Sequence, residues 1–387
     1  MLDWLIIGGG VHGTHLSLVL TSAGGVARDR VRVIDPDEEV LGAFWRLTRA
    51  TGMTHLRSPG VHHLGVESTS LRRFAGTSGG RRAGRFAFPY ERPALSLFRA
   101  HVEALVRGHD LAGLRLCARA TALDVVPTGL RVETDRGAVE ARRVVLAVGP
   151  APHYCWPDWA VGCKKAGGDV SHVFEAADPG EVVAGTTVVV GGGISGGQLA
   201  LSLARRGANV VWSSRHPLRV HRFDSDPEWL GPKAMSTFDA TSDLRRRRAM
   251  IAAARRRGSV PPELFTEARH AIHRGVLQHV VAPVSGARRG GDGRMHLELE
   301  GHDAIVADRI VLATGFEPLR PGGALVDDAI ARLGLSCAEC GYPIVSRSLE
   351  WGPGLFVTGG LAELELGPTS RNVAGAREAA RRLLEAA

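Results

Sequence analysis

Cysteine is scarce. The 387 residues contain five, Cys117, Cys155, Cys163, Cys337 and Cys340, too few for a disulfide framework in a chain this long, which points to a reducing cytoplasm. No apolar run approaches the roughly 18 residues that suggest a membrane span. The N-terminus leads straight into a core strand, with no charged leader or cleavage site. Zinc-finger spacing, internal repeats and a second cysteine pair are also missing, so no metal site is expected. The net charge of +8 is carried by scattered arginines without any RNA- or DNA-binding signature. Nucleic acid is therefore not an expected partner, and a positive surface equally draws in phosphorylated cofactors or acidic substrates. A hydrophobic share of 44% and a charged share of 23% are ordinary for a soluble globular chain of two or three modest domains.

What is present is glycine in two particular places. Leu5-Ile6-Ile7-Gly8-Gly9-Gly10-Val11-His12-Gly13 and Val188-Val189-Val190-Gly191-Gly192-Gly193-Ile194-Ser195-Gly196 both read as strand, G-x-G-x-x-G, helix. The first glycine makes the tight turn, the second admits a pyrophosphate, and the third lets the helix approach the strand. The helix N-terminus then faces the phosphate charge, with Gln198 in the first turn of the second helix. One such turn also occurs with nothing bound. Two, about 180 residues apart, point to two dinucleotides rather than two empty turns.

The strands that follow end differently. Val31-Arg32-Val33-Ile34 finishes on Asp35, which can accept hydrogen bonds from both ribose hydroxyls and repel a 2′-phosphate; as a bland alternative it opens a turn before Pro36. Asn209-Val210-Val211-Trp212 finishes on Ser213-Ser214-Arg215, where hydroxyls and a guanidinium suit a 2′-phosphate, so NADPH is favoured over NADH at the second site. Arg215 as an ordinary exposed arginine is the competing reading. Residues 72–92, rich in arginine and glycine, are expected to form a surface loop. Leu95 to Val106 has the spacing of an amphipathic helix, and segments near 114–126, 129–134 and 138–140 of a small meander. Thr241 to Arg257 reads as a basic helix capped by Thr241 or Ser242, with a solvated face.

At this point the sequence resembles the two-dinucleotide flavoproteins, closest to the N-hydroxylating, lysine- and ornithine-hydroxylase-like flavin monooxygenases. Leu41-Gly42-Ala43-Phe44-Trp45-Arg46 looks like their G-x-x-W-R segment, Asp308 to Pro318 like their D-x-x-x-x-A-T-G-[FY] segment, and Gly354 to Gly360 like their last FAD strand. The acidic residue usual after that strand is replaced by Gly360-Leu361, and the F-x-G-x-x-x-H Baeyer–Villiger core is absent. The resemblance implies an α/β fold of two Rossmann-like domains of the glutathione-reductase type, with parallel sheets and small antiparallel meanders. It implies FAD in a domain made of 1–155 and 306–387, and NAD(P)H in 156–305. The residues it places at the cofactors are Gly8, Gly10, Val11, His12, Gly13, Asp35, Trp45, Arg46, Gly149, Thr314, Gly315, Gly359 and Asn372 for FAD, and Gly191, Gly193, Ile194, Ser195, Gly196, Gln198, Ser214 and Arg215 for NADPH. Trp45, Arg46, His62 and His63 are pocket candidates; no protein acid or base is assigned.

The implied reaction is NADPH-dependent reduction of FAD, then transfer of one oxygen of O2, through a flavin hydroperoxide shielded by retained NADP+, to a small-molecule nitrogen or sulfur. The alternatives are an NAD(P)H-dependent reductase or oxidase acting on a disulfide, quinone or other acceptor, and an NADP(H)-binding redox sensor that docks a partner through the arginine-rich helix. Cys337-Ala338-Glu339-Cys340 would serve a disulfide chemistry, but it lies in the last FAD segment rather than near either glycine turn. A homo-oligomer is compatible with everything read so far.

Overall fold

The structure, a computed structural model, describes residues 1–150, 152–176 and 178–385. Its first sheet has the strand order Glu350–Gly352, Leu355–Val357, Gly137–Leu146, Leu2–Ile7, Val31–Asp35, Arg115–Cys117. All of these pair in parallel except the outermost, and the antiparallel meander Ala120–Val126, Gly129–Thr134 continues from Gly137–Leu146. Strands covered on both faces read as unbroken apolar runs; Trp4, Leu5 and Ile6 are fully buried. The helix Val11–Thr21 is buried over nearly its whole length, because it lies between this sheet and the C-terminal helix Val373–Glu385.

The second sheet is entirely parallel, in the order Gln278–Val281, Asn209–Ser214, Thr186–Val190, Arg309–Leu312, Val170–His172. A three-stranded antiparallel sheet, Val284–Arg289, Met295–Leu299, His302–Ala307, packs on it through Met295, Leu297 and Ala307. Strand Arg309–Leu312 belongs to this second unit, so the return to the first falls at residues 313–317 and not at 306. The two passages between units run side by side: Cys155 N–H donates to Gly315 O at 2.9 Å and Glu317 N–H to His153 O at 2.9 Å. Tyr154 stacks on His172 at 4.6 Å beside Phe174 and Phe316, which stiffens the crossing.

Two other expectations change. Within 72–92 lie most of the short helix Ser70–Ala75 and all of Ser78–Ala83. Thr77 caps the latter through the Gly80 N–H at 3.1 Å, and Gly80 is required because a Cβ there would overlap Phe74 O. The basic helix spans Leu244–Ala254 and is capped by Asp243, whose Oδ1 accepts from the Arg245 N–H at 2.8 Å. Among the described residues no helix is long and apolar enough to cross a membrane.

Candidate dinucleotide clefts

The register brings Ile7, Ile34, Leu146 and Val357 level at the carboxyl edge of the first sheet. Gly8, Asp35, Gly149 and Gly359 follow those strands and so crowd one edge. Gly8 has φ +110, and a Cβ on it would stand 2.5 Å from Ala147 O; one on Gly13 would overlap Gly8 O. The fold itself requires these two glycines. Gly10 and Gly149 are different: a Cβ on either would meet nothing within 4 Å. Open space above a helix N-terminus, where N–H groups lack partners, is suited to a pyrophosphate. Asp35 is held at the same edge, accepting from the Gly9 N–H at 2.5 Å and the Asp37 N–H at 2.9 Å, with the Arg115 guanidinium 3.5 Å away. These residues fit FAD.

The second unit repeats the geometry. Gly191 has φ +139 and faces Ala313 O, Gly196 is pressed on Gly191 O, and the Trp212 indole N–H donates to Gly191 O at 2.8 Å. Ile194 and Ser195 open the helix Ile194–Arg205. Gln198 is half-buried with Oε1 unpartnered. At the strand end Ser214 turns inward: its Oγ donates to His216 O at 2.9 Å and lies 2.9 Å from His279 Nε2. The hydroxyl expected to meet a 2′-phosphate is thus engaged, and Arg215, exposed and without an ion pair among the described residues, is left as the group available for that phosphate.

The other candidates are held by contacts of their own. Trp45 is buried in the side core with Phe44 and Phe98, its indole N–H donating to Val40 O at 2.9 Å. Arg46 is exposed and paired with Asp37. Thr314 gives its hydroxyl proton to Cys155 O, so it fastens the crossing. Asn372 precedes the C-terminal helix, its backbone O accepting from the Ala376 N–H at 3.1 Å. His63 is fully buried and satisfied on both nitrogens, Nε2 donating to Ser68 O at 3.0 Å and Nδ1 accepting from the Gly65 N–H at 3.1 Å. His62 is half-buried beside it, and burial lowers the pKa of both.

Sequence reasoning placed His12 at the flavin turn but missed its neighbours His15 and His101. His12 Nδ1 lies 2.9 Å from Thr358 Oγ1 and its ring packs on Gly359. His15 Nδ1 donates to Leu64 O at 2.8 Å, and His101 Nε2 lies 2.9 Å from Ser70 Oγ. Burial pushes His12 and His15 down to about 4 and His101 to about 3, so all three are neutral at physiological pH. Arg377 donates to Gly65 O at 2.5 Å and Val66 O at 2.9 Å, tying the same loop to the C-terminal helix. No pattern of spacing in the sequence announces contacts of this separation.

Also unforeseen is how firmly the units are joined. Arg57 donates to His221 O, Arg222 O and Phe223 O at 2.6, 3.1 and 2.9 Å and to Ser259 Oγ at 3.0 Å. The basic helix also docks onto the first unit. Arg247 reaches Leu364 O at 2.9 Å and Glu365 at 3.0 Å, Arg248 pairs with Glu363 and lies 4.2 Å over the Tyr342 ring, and Arg245 pairs with Glu339. The helix keeps the solvated face expected of it at Arg245, Arg246 and Ala249, while Arg247 and Arg248 turn its other side into an internal contact. Cys337 and Cys340 flank Glu339, in a turn where the Gly341 N–H donates to Ala338 O at 2.8 Å. No group of three or more histidine, cysteine or carboxylate side chains is placed to hold a metal among the described residues.

Known proteins match this geometry. A family model described as FAD-NAD(P)-binding matches residues 5–151, and one described as pyridine nucleotide-disulphide oxidoreductase matches 116–257. No curated protein matches the chain by sequence. Among solved structures, the ornithine hydroxylase of Pseudomonas aeruginosa superposes with a TM-score of 0.74 at 14% identity, covering 100% of this chain and 98% of that one. The ornithine N-hydroxylase of Kutzneria sp. 744, in a structure titled with reduced FAD, NADP+ and L-ornithine, gives 0.73 at 16% identity over 100% and 98%. The bacillithiol disulfide reductase of Bacillus cereus gives 0.62 at 17% identity over 100% and 98%. The chain thus carries FAD- and NAD(P)-binding oxidoreductase domains and has the fold of the two-dinucleotide flavoproteins.

Proposed function

We propose that the protein is an NADPH-dependent flavin monooxygenase that oxygenates a nitrogen or sulfur atom of a small molecule. The observation that carries this reading is the pair of glycine turns at the carboxyl edges of two parallel sheets, with no thiol pair at either turn. When bound, FAD supplies the two-electron chemistry and the activation of O2. The chain's own residues bind and orient. The 8–13 turn, Asp35, Gly149, Gly315 and Gly359 hold the flavin nucleotide, with Asp35 on the ribose. The 191–196 turn and Arg215 hold NADPH.

Arg57, Arg247 and Arg248 hold the two units on each other, which limits water at the reacting atoms. The N-terminus of Val373–Glu385 would favour negative charge on the flavin pyrimidine. The buried histidines His15, His63 and His101 hold the 62–70 loop through Leu64 O, Ser68 O and Ser70 Oγ.

A reductase acting on a disulfide or other acceptor is the second reading, supported by the pyridine nucleotide-disulphide oxidoreductase match. The position of Cys337 and Cys340, under the basic helix, weighs against them as its dithiol. Mixing NADPH-reduced protein with oxygenated buffer separates the two. The monooxygenase reading expects a spectral species that is neither reduced nor oxidised flavin and that lasts longer when NADP+ is retained. Direct return to oxidised flavin with equivalent peroxide would overturn it in favour of the reductase or oxidase. Protein that takes up no FAD would remove both.

A further inference from the structure

The two glycine turns differ in one respect. Above Gly10 there is open space, whereas a Cβ on Gly193 would stand 3.4 Å from Gly258 Cα. The segment that brings Gly258 there, Arg255-Arg256-Arg257, is fixed at several points. The Arg256 N–H donates to Asp224 O at 2.8 Å, Ser259 Oγ donates to Arg256 O at 2.5 Å, and the His221 N–H donates to Val260 O at 3.0 Å. Arg57 bonds Ser259 from the first unit. The segment is a built wall at the mouth of the turn.

Its charges are not balanced. Arg256 pairs with Asp226 at 2.6 Å. Arg255 stands 4.0 Å from the carboxylate of Glu363, but that group already takes Arg248 and, at 2.7 Å, Arg371. Arg257 is exposed and has no ion pair among the described residues. Burial, followed by the nearby Arg371 guanidinium, brings the Arg255 pKa down to about 10. Around Arg255, the guanidiniums of Arg248, Arg257 and Arg371, with Arg57 beside Asp224, outnumber the carboxylates of Glu363 and Asp224. The excess positive charge suits a dinucleotide diphosphate, and the helix Ile194–Arg205 begins at Gly193, beside Gly258.

We infer that Arg257, backed by Arg255, clamps the diphosphate of the nicotinamide dinucleotide against the second glycine turn, so that this site is closed over by arginine while the flavin site is open. The inference rests on the reading of that turn as the NADPH site. Arg215 and Arg257 then divide the ligand: one meets the 2′-phosphate, the other the diphosphate.

The test is calorimetric titration of the FAD-loaded chain with NADP+, and with adenosine 2′-monophosphate, which has no diphosphate. Arg257→Ala is expected to weaken NADP+ binding at least about tenfold, the scale of one lost charge-assisted hydrogen bond, and to leave adenosine 2′-monophosphate unchanged. Arg215→Ala should weaken both. Arg257→Lys should recover part of the NADP+ affinity, since the charge returns without the fork. The proposal is overturned if Arg257→Ala binds NADP+ within about twofold of the parent, or if it weakens adenosine 2′-monophosphate equally; the dinucleotide reading survives either result. Parent protein that binds no NADP+ would overturn the reading and the proposal together.

Discussion

Arg248, on the basic helix of the second unit, forms an ion pair with Glu363, which follows the last strand of the first sheet and is only 1% exposed. Glu363 also takes Arg371, one residue before Asn372 at the entry to the C-terminal helix. One carboxylate therefore links the position of the nicotinamide unit to the segment that leads into the flavin-side helix. Removing it leaves the partly buried guanidiniums of Arg248, Arg255 and Arg371 without that counter-charge. Breaking such a pair costs about 3–5 kcal/mol, so Glu363→Ala should lower the urea midpoint markedly. Arg248→Met, which keeps the packing on Tyr342, should cost less. Equal and small losses in both variants would show that the pair is not what joins the units.

The glycines of the first turn separate folding from binding. Gly13→Ala forces a Cβ onto Gly8 O and should destabilise the chain whether or not FAD is present. A Cβ on Gly10 meets no protein atom within 4 Å, so the cofactor-free Gly10→Val protein should melt within a few degrees of the parent while its FAD content falls sharply. If Gly10→Val binds FAD normally, the open space above Gly10 is not where the pyrophosphate lies.

These glycines also show what was legible in the sequence. Strand, turn and helix follow from local spacing, and the two parallel sheets and the small meander could be read from it. What could not be read depends on which distant residues meet. Trp45 sits in a motif that suggests the flavin, yet burial of its ring with Phe98 decides its place. Arg-rich composition suggests a solvated helix, and one face is solvated, but Glu363 and Glu365, more than a hundred residues further on, engage Arg247 and Arg248 on the other. Thr314 lies in a motif associated with the cofactor, while its hydroxyl is held by Cys155 O in the other crossing segment.

Acid should unfold the protein through its buried histidines. His12 and His15 titrate at about 4 and His101 at about 3 when folded, against roughly 6.5 in an unfolded chain. Between these values the unfolded state binds protons that the folded state does not, so stability falls as pH drops below about 6.5, by up to about 1.4 kcal/mol per pH unit for each histidine. The loss is complete only near pH 4, where the folded state begins to protonate. Thermal midpoints measured from about pH 7.5 to about pH 5 should fall progressively, and His101→Leu should flatten the slope. A midpoint constant across that range would mean that the three rings are hydrated.

The strand ends make the last prediction, on coenzyme choice. With the Ser214 hydroxyl committed to His216 O and His279, discrimination for the 2′-phosphate falls on the side chain of Arg215. An exposed guanidinium contributes less than a buried one, yet a charge-assisted bond to phosphate is still worth about 1.5–3 kcal/mol. Arg215→Ala should therefore reduce the preference of flavin reduction for NADPH over NADH by about tenfold or more, chiefly through weaker NADPH binding, while the rate with saturating NADH stays near that of the parent. Ser214→Ala should act differently: it removes a bond that shapes the strand end, so its effect should fall on stability and on both coenzymes alike. If instead Ser214→Ala selectively impairs NADPH, the hydroxyl rotates to the phosphate when the coenzyme binds, and His279 must find another partner.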